Sequence, residues 1–394
     1  MEFQMTPEIR LNPYPMYAMM RASGGMLHLE EYNLWNVFRY DDVKTVLADH
    51  TRFSSSQMGD GHLLSRSLIS TDPPRHTQLR GLINKVFTPK AIAALEPRIA
   101  ALTGELLDRV AGKGALDLVG DLGAPLPVMV IAEMLGIPTD DRAQFRHWSD
   151  QMVAAADEVL TGARAAGPAH ASTLAMQEMS AYFREILTRR RASPENDLIS
   201  SLLAAEIEGE RLSEDDLLNF CWLLLVAGNE TTTNLLSNAI LTFLEHPDAL
   251  ARLRAEPERI PQAIEEVLRY RSPVQAMFRV ATTDVEMAGQ VIPRGARVIA
   301  WIGSANRDET VFPDPDRFDI GRDPNPHIAF GQGIHFCLGA PLARLEARVA
   351  LGAILERLQD LERADTEPLE PVAGFIVHGV TRLPLQFRPA GAVR

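Results

Sequence analysis

Phe330-Gly331-Gln332-Gly333-Ile334-His335-Phe336-Cys337-Leu338-Gly339 decides how this chain is read, because one of only two cysteines stands there between a glycine-rich turn and a helix. The helix is Ala340-Pro341-Leu342-Ala343-Arg344-Leu345-Glu346-Ala347-Arg348-Val349, with apolar residues at helical spacing and proline in the first turn, where its missing N–H costs nothing. The Cys337 thiol is expected just ahead of a helix N-terminus, whose partial positive charge lowers a cysteine pKa and favours the metal-binding thiolate. Gly331, Gly333 and Gly339 let the backbone pass close to a flat, bulky object.

Several chemistries share such a stretch. Gly331-x-Gly333 opens like a dinucleotide fingerprint, but Phe336 occupies the third glycine position. A zinc site needs several Cys or His ligands at short spacing, and only His335 is near. A cysteine beside a histidine can be a nucleophile, and a buried inert cysteine is commoner still. The rest of the chain has to separate these readings.

Composition narrows the classes. The chain has 394 residues, 46% hydrophobic and 23% charged, an ordinary globular balance able to bury a large core. The net charge of −13 argues against nucleic acid, which requires a basic face to neutralise phosphates. No apolar run approaches the ~20 residues of a bilayer span. Met1 to Arg10 lacks the basic and apolar regions of a secretion signal, and two cysteines make no disulfide framework, so a cytoplasmic protein without membrane attachment is expected.

The decapeptide as a whole resembles the haem-binding signature of the cytochrome P-450 family, Phe-Gly-x-Gly-x-His-x-Cys-x-Gly, and matches every fixed position. The resemblance implies that Cys337 is the axial thiolate of a haem b iron, the ligation that favours O–O cleavage, with Phe330, His335 and Gly339 in the same cofactor-binding stretch. Asp72-Pro73-Pro74-Arg75-His76-Thr77-Gln78-Leu79-Arg80 stops at proline and then opens a helix with His76 and Arg80 on one face. It is similar to the family's helix whose His and Arg clasp a haem propionate. Pro273-Val274-Gln275-Ala276-Met277-Phe278-Arg279 runs extended after proline; in the family its arginine reaches a propionate and the residues before it face substrate.

A long helix starts at the capping-box pattern Ser213-Glu214-Asp215-Asp216 and meets no proline until Pro247. Its middle, Ala227-Gly228-Asn229-Glu230-Thr231-Thr232-Thr233, puts poor helix formers and a carboxylate among apolar flanks, a local violation that a kink or a functional site explains. The segment resembles the family's Ala-Gly-x-Glu/Asp-Thr stretch over the distal haem face. Ala227 and Gly228 would then lie against the cofactor, Gly228 opening a groove for dioxygen, with Glu230 and Thr231 as the catalytic proton-delivery pair. Cys221, ten residues before Thr231, reads as core. Glu266-Val267-Leu268-Arg269 resembles the family's structural Glu-x-x-Arg pair, completed by Arg317.

Elsewhere the pattern is helical, with breaks at 112–118, 136–138 and 162–168, the last either a lid segment or a plain connection. Strands are expected at 27–29 and 34–38 as a hairpin; 279–281, 285–287, 291–292 and 298–302 as one small sheet; and 374–377 with 383–387 as a terminal hairpin. The loop 53–70 carries Met58, Leu63, Leu64, Leu68 and Ile69, and apolar loop residues need a partner. With Leu223, Val226, Gln275, Met277 and Ile376 they are expected to line an apolar substrate pocket.

The resemblance runs from Pro13 to Phe387. It implies a mostly α fold with a small β lobe, the triangular helical prism around a buried haem, in one domain spanning 1–394: a helical core at 72–270, a β-rich segment at 26–38 and the haem-ligand region at 326–358. The implied activity is insertion of one atom of dioxygen into an apolar small molecule by a monomer. The chain has neither a flavin fingerprint nor an iron–sulfur cysteine cluster, so electrons are expected from a separate ferredoxin and ferredoxin reductase supplied by NAD(P)H. A basic docking patch is expected around Arg80, Arg344 and Arg348. A hydrogen-peroxide-driven peroxygenase and a non-catalytic haem sensor are the alternatives. Dedicated peroxygenases of the family lack the acid–threonine pair present here.

Overall fold

The helix Glu214–Glu245 begins where its sequence says it should. The Ser213 side chain accepts from the backbone N–H of Asp216 at 3.1 Å, and the Asp216 carboxylate accepts from that of Ser213 at 2.9 Å, a reciprocal cap. From there 32 residues run unbroken. Leu225, Leu236 and Ile240 along it are fully buried, each burial contributing about 1.5–3 kcal/mol. The structure, a computed structural model, describes residues 6–56, 66–141, 144–145, 147–148, 151, 169–207 and 209–390. Met58, Leu63, Leu64 and the break at 162–168 lie outside them.

Among the described residues the helices are α1 (Pro7–Leu11), α2 (Tyr14–Ala22), α3 (Tyr40–Ala48), α4 (Arg75–Val86), α5 (Pro89–Ala93), α6 (Glu96–Ala111), α7 (Pro125–Met134), α8 (Ala169–Ala192), α9 (Leu198–Ala204), α10 (Glu214–Glu245), α11 (Pro247–Ala255), α12 (Ile260–Tyr270), α13 (Ile302–Ala305) and α14 (Ala340–Arg357). The long α10 packs on α7, α12 and α14, and α14 in turn packs on α6, so the helix that follows Cys337 is held from several sides. Their side chains form one large apolar cluster; a second lies beneath the sheet near the N-terminus.

The strands are β1 (Met26–Leu29), β2 (Leu34–Val37), β3 (Phe53–Ser54), β4 (Ala115–Asp117), β5 (Met277–Ala281), β6 (Val285–Met287), β7 (Gln290–Ile292), β8 (Arg297–Ala300), β9 (Leu358–Arg363) and β10 (Pro384–Pro389). The main sheet has the order β1-β2-β8-β5-β3, with β2 and β8 parallel and the other neighbours antiparallel. The β1–β2 hairpin is as expected. The single small sheet is not: β6 and β7 pair only with each other, apart from β5 and β8.

The expected terminal hairpin is also corrected. β10 pairs with β9 and β4, while the segment 374–377 forms a turn with one isolated bridge, Val274 to Val377. The reason is local. Residues 358–363 continue the charged and apolar mix of α14, which hides a strand, whereas 374–377 satisfies its backbone against the 273–275 segment.

Candidate active site

Gly333 sits at φ +69°, and a Cβ there would lie 2.8 Å from the Ala48 Cα and 2.9 Å from its carbonyl oxygen. Only glycine lets this loop rest so tightly on α3. The loop then brings Cys337 to the head of α14, its N–H donating to the Phe330 carbonyl at 2.9 Å. The Phe330 ring lies under the Arg344 guanidinium, 4.5 Å from its centroid. Arg344 in turn grips Glu265 at 2.7 Å, and Glu265 lies 2.9 Å from His327. Although burial pulls the Glu265 carboxyl up, these two partners hold it at about 2.

Burial pushes the Cys337 thiol above its ordinary range; hydrogen bonds from Gly339 and Ala340 N–H and the charges of Arg80 and Arg344 oppose it. Burial thus opposes the lowering expected of the helix N-terminus. The ligand-type environment is there all the same: N–H groups and cations converge on one sulfur. Cys221 has none of this; 1% exposed, its thiol is pushed up to about 12 by burial. It is core, as expected.

His76, Arg80, Arg279 and His335 come together. The His76 and His335 rings meet edge to face at 4.5 Å. Both ring nitrogens of His335 and Nε2 of His76 are buried with no partner in the protein. Burial, then Arg279 and His76, hold His335 down at about 3. Burial and then Arg80 lower His76, and burial brings Arg279 down to about 10. The Arg279 guanidinium is 7% exposed and donates to the neighbouring Phe278 carbonyl. Asp72 does not neutralise the group: it is taken by Ser54, Ser55 and Ser56 and stands 4.0 Å from His335. Buried, unpartnered ring nitrogens beside two arginines, with the nearby Asp72 carboxylate engaged by three serines, fit a cofactor that brings its own carboxylates.

The distal segment is arranged less simply than expected. The Thr231 hydroxyl donates to the Ala227 carbonyl at 2.7 Å, and Ala227 is exposed. Gly228 faces α7, where a Cβ would fall 2.8 Å from Ile131 Cδ1. A side chain at 228 would press on the tip of Ile131, so glycine keeps α10 close to α7 here. Thr233 donates to the Gly123 carbonyl at 2.9 Å and ties α10 to the π-helical turn Leu118–Gly123. Glu230 and Val226 are half-buried.

The pocket residues divide. Met277 is 39% exposed and Ile376 half-buried. Leu223 and Leu68 are buried in the large helical cluster. Gln275 must be removed from the set: its amide accepts from the Tyr17 hydroxyl at 3.0 Å and donates to the Ser272 carbonyl at 2.6 Å, inside the core. The expected basic docking patch is corrected too. Arg344 is paired with Glu265 and Arg348 with Glu96, and Arg80 is turned towards Cys337. These pairs rim a groove of about 380 Å³ floored by Ile92, Pro261 and Leu345.

Arg269, fully buried, binds Glu266 at 2.8 Å through two nitrogens and donates to the carbonyls of Asn306, Pro315 and Arg317. The third member is Arg322, 3.2 Å from Glu266, and not Arg317, whose side chain is 68% exposed. The turn that starts at Asp314, φ +47°, points the Arg317 carbonyl inward and its side chain out. No local signal marks Arg322; only the fold brings it back to Glu266.

A half-buried cysteine at a helix head, buried ring nitrogens without protein partners nearby and a long helix with glycine and threonines in its middle make up the candidate site. Residues 25–384 match the cytochrome P450 family profile. The chain is 46% identical over 359 residues to a putative cytochrome P450, YjiB, of Bacillus subtilis, covering 91% of this chain and 90% of that protein. The solved cytochrome P450 CYP109Q5 from Chondromyces apiculatus superposes with a TM-score of 0.90 at 43% identity, covering 98% of both chains. CYP109E1 from Bacillus megaterium, solved in complex with testosterone, gives 0.88 at 44% identity over 95% of this chain and 99% of that one. The chain belongs to the cytochrome P450 family; it is a monooxygenase with the P450 fold and a haem-iron cofactor. No helix among the described residues is long and apolar enough to cross a membrane.

Proposed function

We propose that Cys337 ligates the iron of haem b and that His76, Arg80, Arg279 and His335 receive its propionates. The observation that carries this is the buried corner of unpartnered ring nitrogens beside Arg80 and Arg279, whose nearby carboxylate, Asp72, is engaged by Ser54, Ser55 and Ser56, within electrostatic reach of a sulfur already met by two N–H groups. When bound, the haem supplies reductive activation of dioxygen: one oxygen atom enters the substrate and the other leaves as water, with two electrons and two protons consumed. The chain's own part is to exclude water, orient the substrate and govern protons. Thr231, held by the Ala227 carbonyl, has oxygen lone pairs free to accept from a water or substrate hydroxyl, and Glu230 one residue earlier relays protons to it.

The substrate is an apolar small molecule, bounded by Val226, Met277 and Ile376. The testosterone complex of CYP109E1 supports a cavity of this character. Ferredoxin and its reductase deliver the electrons, and the enzyme works as a cytoplasmic monomer.

The carbon monoxide difference spectrum of the reduced protein tests the ligation. The unaltered protein and Cys221→Ala should both show the red-shifted Soret band of thiolate ligation, and Cys337→His should lose it. Loss of the band in Cys221→Ala with retention in Cys337→His would sink the proposal. Product formed with a ferredoxin, its reductase and NAD(P)H, and not with hydrogen peroxide alone, tests the electron route.

A further inference from the structure

Asn234, Asn238 and Thr242 follow one another at intervals of four and so share one face of α10. All three are at most 1% exposed, in a helix whose other buried positions are largely apolar. Asn238 donates to the His378 carbonyl at 2.9 Å and to the Arg271 carbonyl at 3.3 Å. Thr242 donates to the Asn238 carbonyl and accepts from Arg271, which also binds Glu245.

One turn nearer Thr231 the pattern changes. Neither amide atom of Asn234 has a partner in the protein, and the side chain lies so close to Gly379 that a Cβ there would fall 1.8 Å from its Oδ1. His378 Nδ1, Arg271 Nε and the Tyr14 hydroxyl are orphaned in the same neighbourhood, the Tyr14 and His378 rings being 6.1 Å apart. Native proteins give such groups ordered water when a site is polar and offers two to four partners.

What this cluster touches gives it a role. The His378 N–H donates to Pro273 O at 2.7 Å, and the Gln275 N–H to Ile376 O at 2.7 Å. Two backbone bonds therefore tie the 374–378 turn, which carries Ile376, to the 273–275 segment that leads into Met277 and β5. The polar cluster lies where that turn meets α10.

We propose that Asn234, Asn238 and His378 enclose a buried water site that fixes the 374–378 turn against α10, making the two asparagines positioning residues for substrate choice. The proposal rests on the assignment of Ile376 and Met277 to the substrate cavity. The site holds and does not conduct protons. The Arg271 cation stands in it, and burial followed by Arg271 keeps His378 at about 3, neutral at working pH.

The test uses the haem-loaded full chain. A crystal structure should show ordered waters on Asn234 and His378 Nδ1. In Asn238→Leu, amide exchange across 374–379 should accelerate about fivefold, the loss of one typical hydrogen bond, and the ranking of dissociation constants for a panel of steroids and fatty acids should change. The carbonyl Soret band should not. Gly379→Ala, whose methyl displaces the Asn234 amide without changing the sequence of α10, should reproduce both changes should Asn238→Leu fail to fold. Unaltered exchange and ranking in variants with a normal Soret band, or a dry cluster in the crystal, would overturn the proposal. Absence of the thiolate band from the unaltered protein would overturn the haem assignment instead.

Discussion

The rings of His76 and His335 stand edge to face, 4.5 Å between centroids, although 259 positions separate them in the chain. Neither ring is charged at neutral pH, because burial and the neighbouring arginines lower both pKa values. Each thus offers a neutral N–H, and Arg279 and Arg80 carry the positive charge. A carboxylate entering this corner gains charge-assisted bonds of ~1.5–3 kcal/mol each.

Arg279→Ala should therefore release haem faster than the unaltered protein when apomyoglobin is present as acceptor, by tenfold or more at ~1.4 kcal/mol per factor of ten. Arg252→Ala should not, since Arg252 is an exposed partner of Glu256 on α11. Equal release from both variants would remove the propionate role.

Thr231→Ala tests proton control. The variant should bind haem and substrate and consume NAD(P)H at similar rates while more of the electrons end as hydrogen peroxide, measured by peroxide formed per NAD(P)H. A change of ~1.4 kcal/mol in the difference between two barriers shifts such a partition tenfold. Glu230→Ala should slow turnover by ~10²–10⁴, the usual worth of a positioned proton donor. Unchanged coupling in Thr231→Ala would assign its part to a substrate hydroxyl or water.

Beneath the ligand loop, Arg322 and Arg317 should respond oppositely to replacement. Arg322→Ala removes a buried partner of Glu266 and should cost about 1–3 kcal/mol in denaturant unfolding. Arg317→Ala, out in solvent, should stay within about 0.5 kcal/mol. The reverse order would restore the pairing expected from sequence.

Glu346 on α14 is fully buried, and burial raises its carboxyl to about 8. Folding favours its protonated form, so this stability is present in full below the unfolded pKa near 4.5 and is lost as pH rises through about 8. The loss is bounded at roughly 5 kcal/mol. Glu346→Gln should match the parent at pH 5 and exceed it in stability at pH 9. Parallel pH profiles would refute the buried protonated state.

What the chain disclosed unaided was carried by neighbouring residues. The capping box of Ser213 and Asp216 is closed within four residues, the Cys337 loop within ten, and His76 with Arg80 within one turn. Each acts through short-range geometry that sequence spacing describes. Gln275 failed because the partner that draws its amide inward, Tyr17, is 258 positions away. Arg322 took the place given to Arg317 because of one positive φ at Asp314. β9 was invisible because its composition continues the helix before it.

The five bonds of Arg269 all end on the polypeptide: two on Glu266 and three on main-chain carbonyls. The scaffold under the ligand loop is thereby tied together by groups of the chain itself. A change at Arg269 would therefore act first on the stability of this scaffold and on the ligand loop only through it.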